Sequence, residues 1–197
     1  STRGGIFNNV NNAKIEHLGV ENVNINAKEH FSAGLIGWSH YSTITNCYTT
    51  GEIIGHASYN AGFIGLLENS SISDCYSNVN VVIGDLTYPD NSSARNGGFI
   101  GDARGSNIER CYATGDITGL SYIGGFIGMV YSSDCTINNC YALGNVSGTG
   151  GTAHNGAFIG DLSAQVTGSG NYVNKNDNQN LIGTNYTINA ELTSTTS

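Results

Sequence analysis

Hydrophobic residues recur along the chain in short groups that are separated by glycine and polar residues. The clearest group is Gly98-Phe99-Ile100-Gly101, in which two apolar residues lie between two glycines. This group, which we call the anchor, recurs with small changes from residues 34, 62, 125 and 157. Between anchors, segments such as residues 20–25 alternate apolar and polar residues, as a strand with one buried face does. The pattern therefore predicts an all-β chain that is built from repeated short strands.

A cysteine follows most anchors at a nearly fixed distance. It lies ten residues after the second anchor glycine in three copies and twelve residues after it in the fourth. In the fifth copy Asn171 occupies the corresponding position. The four cysteines are Cys47, Cys75, Cys111 and Cys140. Successive anchors begin 27 to 36 residues apart, and self-similarity at such a period marks a solenoid or another repeat array.

Each copy is predicted to form one turn of a right-handed parallel β-helix, or β-solenoid, with roughly three short strands per coil and about seven coils. The first strand contains the anchor, the second is a run such as residues 44–48, and the third is the alternating segment before the next anchor. Glycines between the strands are expected to form the corners, because they adopt positive φ at low cost. Residues 1–197 would form a single domain, with a divergent first coil at 1–30, repeats at 31–172 and a terminal coil and tail at 173–197.

Stacked coils place like residues over like residues, so the interior should contain ladders of small and β-branched side chains. The predicted core positions of the second strand are Ile44, Ile72, Ile108 and Ile137, together with Cys47, Cys75, Cys111 and Cys140. Stacked cysteines point the same way at a spacing of about 4.8 Å, which is longer than the Cβ separation of a disulfide. We therefore expect four unbridged thiols. Cys135 lies outside this series, and the sequence leaves its state open.

A tyrosine follows each of these cysteines, and neighbouring side chains on a strand point to opposite faces. An outward stripe is therefore expected at Tyr48, Tyr76, Tyr112 and Tyr141, with Tyr172 in the fifth copy. Two roles for the stripe remain open: the rings could stabilise the surface by packing on one another, or they could bind glycans or proteins. The insertion at residues 84–96 predicts a protruding loop, which is a second candidate binding element.

Composition and charge narrow the range of functions. The chain has 7 Lys and Arg residues against 15 Asp and Glu residues, for a net charge of −8. Without a basic patch, neither nucleic acid nor an anionic membrane surface is an expected partner. Membrane insertion is not expected either, because no apolar run approaches the roughly 20 residues that span a bilayer. No Cys or His spacing indicates zinc, so neither a metal nor a cofactor is expected.

Catalytic residues are not predicted. The sequence contains no Gly-x-Ser-x-Gly motif of a nucleophilic serine, and its five histidines are scattered along the chain. A polysaccharide-processing enzyme would need clustered carboxylates. Asp102 and Asp161 follow their anchors at the same position, but in copies that are not adjacent. An enzyme of this class is therefore the third hypothesis for function.

The repeated residues resemble a known family. Gly-Phe-Ile-Gly, followed ten residues later by Cys-Tyr and then by Ala-Thr-Gly-x-Ile, resembles the GLUG-motif repeat. The resemblance covers roughly residues 30–172 and is cleanest at 98–119 and 125–148, whereas Ala157 and Asn171 depart from it. It implies an extracellular, repetitive β-solenoid region of microbial surface proteins such as adhesins. No catalytic residue belongs to the motif, so none is transferred.

The expected function is that of a secreted or cell-surface structural protein of a microbe: a stalk, an adhesin region or a filament subunit. Its terminal coils, at residues 4–7 and 186–191, would expose unpaired backbone groups and associate end to end. The alternative is an adhesin module that binds a glycan or a host or cell-surface protein through the tyrosine stripe or the 84–96 loop. Secretion would also permit N-glycosylation at four Asn-x-Ser/Thr sites: Asn91, Asn69, Asn145 and Asn185. Asn91 is the best placed of them, because it lies in the predicted 84–96 loop.

Overall fold

The computed structural model describes residues 4–28, 30–84, 94–120, 122–148, 154–174, 180–183 and 189–195. In these residues the regular structure consists of β-strands, with no helix, and every strand pair is parallel. The described residues thus contain no helix that could cross a membrane. The strands, numbered β1 to β23 in chain order, stack as a β-solenoid, which confirms the predicted fold class.

The first face of the coil is a six-stranded sheet in which each anchor strand pairs with the anchor strand one turn later. Its register places isoleucine over isoleucine from Ile36 to Ile159. The strands are β1 (Phe7–Asn11), β4 (Ile36–His40), β7 (Ile64–Glu68), β11 (Ile100–Arg104), β16 (Ile127–Val130) and β21 (Ile159–Leu162).

The second face follows after a corner and consists of shorter strands. They are β2 (Lys14–Glu16), β5 (Thr43–Thr45), β8 (Ser71–Ser73), β12 (Asn107–Glu109) and β17 (Cys135–Asn138). The third face begins at the tyrosine positions. It is one long strand in each of the first three turns and two short strands in each of the next two turns. They are β3 (Gly19–Ala27), β6 (Tyr48–Gly55), β9 (Tyr76–Ile83), β13 (Tyr112–Ala113), β14 (Ile117–Gly119), β18 (Tyr141–Ala142) and β19 (Val146–Gly148).

The remaining strands complete the coil. β22 (Val166–Asn174) continues both the second and the third face, and β23 (Asn189–Thr195) pairs with it. A short sheet precedes the anchors in three turns, and its strands are β10 (Asn96–Gly97), β15 (Ile123–Gly124) and β20 (Asn155–Gly156). Three main strands per coil are therefore confirmed.

The number of coils is smaller than predicted. The six anchor strands are separated by five complete turns, and an isolated bridge between Ile159 and Ile182 begins a further one. The prediction of about seven coils counted both terminal segments as complete turns. The right-handed sense stays a prediction from the strong preference of parallel β-crossovers.

The corners differ from the prediction, because residues with side chains form most of them. One corner series directly precedes the cysteine position and has φ between 50° and 55°: His17, Asn46, Asp74, Arg110 and Asn139. This corner divides the run at residues 44–48, which was predicted as one strand, into the end of β5 and the start of β6. Asn and Asp are the residues other than glycine that tolerate the left-handed region best, so they can replace glycine at a tight corner.

Glycines of the anchor are required instead by the close approach of successive turns. A Cβ on Gly98 would lie 2.2 Å from the carbonyl oxygen of Gly125, and a Cβ on Gly125 would lie 2.2 Å from that of Ala157. Ala157 is tolerated because the next turn is one residue shorter. The N–H groups of Ala157 and Phe158 bond to the adjacent carbonyls of residues 180 and 181, so that no residue there corresponds to Ala157.

The core runs through the coil as stacked columns. Phe63, Phe99, Phe126 and Phe158 stack with ring centroids 4.8 to 5.0 Å apart. The isoleucines of the second face, Ile44, Ile72, Ile108 and Ile137, are buried beside them. Because each column repeats at the strand spacing, the solenoid holds side chains in register along its axis.

Candidate functional site

The four cysteines form a buried column at the corner between the second and third faces. Each thiol donates to the carbonyl oxygen two residues earlier, at distances of 3.1 to 3.2 Å. The sulfur of Cys75 accepts the N–H of Cys47 at 3.3 Å, and that of Cys140 accepts the N–H of Cys111 at 3.4 Å. The cysteine column, Cys47, Cys75, Cys111 and Cys140, therefore satisfies backbone groups at the corner, in addition to filling a small apolar space.

Asn171 continues this column in the fifth copy. Its Oδ1 accepts the N–H of Cys140 at 3.0 Å, and its Nδ2 donates to the carbonyl oxygen of Ile137 at 2.8 Å. One amide thus provides both the acceptor and the donor that a thiol provides in the other turns. The corner is therefore preserved in this copy, although it has no cysteine.

All five cysteines are free thiols in the structure. Burial raises the pKa of Cys111 well above its ordinary value. The neighbouring thiol of Cys75 raises the pKa of Cys47, whereas the neighbouring thiols of Cys111 and Cys47 lower the pKa of Cys75. These three thiols thus interact along the column.

Cys135, whose state the sequence left open, occupies a place in a different column. This column contains Ser42, Ser70 and Ser106, whose hydroxyls accept the N–H of the preceding turn at 3.0 to 3.1 Å. The pairing of Asn107 with Thr136 places Cys135 directly after Ser106 in the stack. Cys135 donates to the carbonyl of the residue two positions earlier, as Ser106 does. It is therefore a buried thiol in a serine position, and burial raises its pKa to about 11.

The tyrosine stripe is a stack of nearly parallel rings. Centroids of Tyr48, Tyr76, Tyr112 and Tyr141 lie 4.6 to 5.0 Å apart, with interplanar angles of 2° to 6°. The ring of Tyr48 lies over Gly19, where a Cβ would come within 2.3 Å of it. Its hydroxyl donates to Glu21 at 2.7 Å, and this hydrogen bond raises the pKa of Tyr48.

This stacking bears on the two roles that were open for the stripe. The rings cover one another's faces, so edges and hydroxyl groups are what they present to solvent. A sugar that stacks on an aromatic side chain needs an open ring face, which the inner rings do not provide. The geometry therefore favours mutual packing of the tyrosines, which stabilises the third face.

The two aspartates that follow anchors are separated by Met129, because Asp102 pairs with Met129 and Met129 pairs with Asp161. Asp102 is fully buried, and its Oδ2 accepts bonds from Arg95 at 2.6 Å and Arg104 at 2.7 Å. Burial raises the pKa of Asp102, while the two guanidinium groups oppose this shift. A carboxylate held in this way cannot reach a substrate, which weakens the enzyme hypothesis.

Sequence reasoning missed the cluster around Asp102. The guanidinium of Arg95 also lies 4.3 Å from the ring centroid of Tyr131 and donates to the hydroxyl of Tyr59. These contacts join three turns and fix the chain where it returns from the 84–96 insertion. The sequence gives no periodic signal for them, since Arg95 follows an insertion that breaks the repeat.

The glycosylation candidates divide into two pairs. Asn69 and Asn145 are exposed, and the amide of Asn145 donates to Asp116 at 3.1 Å. Asn91, most of the predicted 84–96 loop and Asn185 lie outside the described residues. Within the part of the chain that the structure describes, no group of three or more His, Cys, Asp or Glu is arranged to hold a metal ion.

A parallel coil with stacked cysteine, tyrosine and phenylalanine columns places the protein in the class of β-solenoid repeat proteins. The GLUG motif matches residues 92–118, which include the third full anchor, Cys111 and Tyr112. The match confirms the predicted resemblance to GLUG-motif repeat proteins and shows that residues 92–118 carry the motif. No curated protein shows significant similarity to its sequence.

Proposed function

We propose that the protein is a structural component of a microbial surface or secreted assembly, in which it forms a rigid spacer and associates end to end. A GLUG repeat in a β-solenoid fits a structural repeat protein. The observation that carries the proposal is the continuous parallel ladder, in which β1, β2 and β3 have a strand neighbour on one side among the residues that the structure describes. Parallel pairing of a further strand on their open side would extend the ladder unchanged.

The surface around this open edge supports association. The nine-residue β3 offers a long edge, and exposed edges of this kind pair with other strands unless they are blocked. Ile6, beside this edge, is 60% exposed, which is unusual for a large apolar side chain in this molecule. A shallow depression between Gly4 and Ile25 adjoins it. A coil of a second copy that covers this end would bury Ile6 and satisfy the open backbone groups.

Sedimentation velocity over a range of protein concentrations tests the proposal. Ile6→Lys places a charge on the end surface, and it should weaken association at least about tenfold, because burial of an isoleucine contributes about 1.5–3 kcal/mol. Leu143→Lys is the matched control, since Leu143 is also exposed but lies on the side of the coil. A wild-type protein that stays monomeric at all concentrations would sink the proposal. So would equal weakening by both variants.

A glycan-binding adhesin module is the second candidate. It is supported by a shallow groove along the second face, where hydroxyl, amide and carboxylate groups repeat at each turn. The groove is lined by Thr43, Thr45, Ser71, Ser73, Asn107, Glu109, Thr136 and Asn138. An extended polysaccharide along the axis would meet the same hydrogen-bonding groups at every turn.

Glycan-array binding followed by calorimetry tests this candidate. Ser71→Arg should block the groove and abolish binding, whereas Thr118→Arg, on the exposed third face, should leave it unchanged. Binding that is equal in the two variants would place the ligand elsewhere. Absence of any bound glycan would remove the candidate.

A further inference from the structure

The cysteine column brings four thiols into line along the solenoid axis. The sulfur of Cys75 lies 3.3 Å from the amide nitrogen of Cys47 in the preceding turn, and the sulfur of Cys140 lies 3.4 Å from that of Cys111. The tyrosine column that follows them in sequence repeats at 4.6 to 5.0 Å, and the phenylalanine column repeats at 4.8 to 5.0 Å. The sulfur atoms therefore repeat at about the strand spacing of 4.8 Å.

This spacing matches a linear dithiolate complex. A metal–thiolate bond is about 2.3 Å long, so two such bonds in a line span about 4.6 Å. A cation midway between two stacked sulfurs would lie between successive turns, on the line of the column. No change of backbone register is needed to reach it.

We propose that the cysteine column binds soft d¹⁰ cations that take two thiolates in a line, one cation in the Cys47–Cys75 pair and one in the Cys111–Cys140 pair. With Hg²⁺ as the cation, each pair forms two sulfur–metal bonds and releases two protons to solvent. The reaction involves no oxidation or reduction. Its product is neutral, which a buried site favours, because an uncompensated charge in the core is costly.

The surroundings of the column select for this class of cation. The sulfurs of Cys75 and Cys140 already accept backbone N–H groups, and such hydrogen bonds stabilise a thiolate. Apolar side chains, including Ile72 and Ile108, share the core with the column. Zinc, which takes four ligands in a tetrahedron, would find two. Soft thiolate ligands favour soft cations over Mg²⁺ or Ca²⁺.

Titration of the folded protein with mercuric chloride tests the inference. Native mass spectrometry should show two Hg²⁺ ions per chain, and X-ray absorption should show two sulfur neighbours per metal in a linear arrangement. The far-ultraviolet circular dichroism of the β-coil should persist throughout. Ag⁺, whose dithiolate carries a negative charge, should bind more weakly than Hg²⁺ to the same pairs.

Three variants separate the column from other thiols. Cys75→Ser with Cys111→Ser removes one partner from each pair and should abolish both sites. Cys135→Ser leaves the column intact and restores the serine of its own ladder, so it should still bind two ions. Cys140→Asn introduces the side chain already present at Asn171 and should reduce the stoichiometry from two ions to one, even if the double variant fails to fold.

Several results would overturn the inference. One is loss of the β-sheet signal with the first equivalent of metal, since the ligand would then be the unfolded chain. Another is three or four sulfur neighbours per metal. Unchanged uptake by Cys140→Asn, or no uptake by the folded wild-type protein, would also contradict it.

Discussion

Each column cysteine donates to the carbonyl oxygen two residues before it. In two turns the sulfur also accepts the N–H of the cysteine in the preceding turn. Similar contacts are made by serine hydroxyls at the preceding corner of the coil. A thiol is larger and less polar than a hydroxyl, so it also fills part of the core. Residue choice at these corners therefore combines hydrogen bonding with volume.

Substitution of Cys140 separates these two contributions. Cys140→Ala should lower the free energy of unfolding by about 2 kcal/mol, because it leaves the N–H of Cys111 and the carbonyl of Asn138 without their partner in a buried corner. Cys140→Ser and Cys140→Asn keep a donor and an acceptor and should cost about 1 kcal/mol or less. Urea unfolding measures all three. A serine variant no more stable than the alanine variant would contradict the hydrogen-bonding role.

Cys135 makes stability depend on pH in the alkaline range. Its pKa is about 11 in the folded protein against an ordinary value of 9.0. Because the folded pKa is the higher one, the folded state holds this proton more tightly. The stabilisation is fully present below pH 9 and is lost as the pH rises from 9 to 11. Wild type should lose up to about 2–3 kcal/mol over this range beyond the loss seen in Cys135→Ser.

Chemical unfolding at several pH values from 8 to 11 checks this difference. The comparison with Cys135→Ser cancels the contributions of all other groups, because both proteins share them. Parallel pH profiles of the two proteins would show that Cys135 does not titrate as its burial requires.

At the residue scale, the sequence predicted where the cysteines lie but not what they bond to. Their shared repeat position placed them in one inward column, as the structure has them. Their hydrogen bonds depend on the left-handed corner just before them, which the residue pattern did not indicate. For Cys135, the two-residue insertion in its turn hid the alignment with Ser106 that the strand register reveals.

Among the elements, the anchor strands are held by close contact between turns. The first glycine of each anchor has a backbone carbonyl of the next turn in the place where a side chain would begin. A methyl group there must move the backbone of one whole turn, because every strand of the turn is paired on both sides. This explains why glycine recurs in the anchor even though Gly98 and Gly125 do not have positive φ.

Gly98→Ala should therefore lower the free energy of unfolding by about 3 kcal/mol, at the upper end of the cost of overpacking. Ala157→Gly is the matched control at the equivalent position of the last full turn, and it should cost about 1 kcal/mol or less. Thermal and urea unfolding would measure both. A Gly98→Ala variant as stable as wild type would show that the backbones of two adjacent turns can move apart to accept a methyl group without loss of stability.

Strands could be predicted and corners could not, for a physical reason. Alternation of apolar and polar residues reports directly on which side of a strand is buried. A corner depends on one residue's φ, and the same left-handed conformation is adopted here by Asn46, Asp74, Arg110 and Gly105. Residue type at a single position constrains φ weakly unless it is proline or a β-branched residue.

At the scale of the whole molecule, the solenoid is a one-dimensional stack, since each turn contacts the turns directly before and after it. Contacts that cross insertions, such as those of Arg95 with Asp102 and Tyr59, could not be predicted from a repeat pattern. The number of turns was also predicted too high, because degenerate terminal segments resemble repeats in sequence without forming complete coils.

A one-dimensional stack should open from its ends, because a terminal turn loses one neighbour and a central turn would lose two. We expect amide hydrogen exchange to be slowest in β11 and β16, which have paired neighbours on both sides, and faster in β1 and β3 at the open edge. Hydrogen-exchange mass spectrometry at low protein concentration measures this gradient. Uniform protection along the chain would mean that the turns unfold as one unit.

The same measurement connects the stack to its proposed association. If the open edge pairs with another copy, protection of β3 should rise with protein concentration, while that of β11, which is already paired on both sides, should not change. Ile6→Lys should remove the concentration dependence and leave the central strands as protected as in wild type. Among the N-terminal turns, association adds a strand neighbour at the open edge alone, so the change in protection should be confined to the strands of that edge. Protection of β3 that is independent of concentration would contradict association through this end, whatever the oligomeric state of the protein.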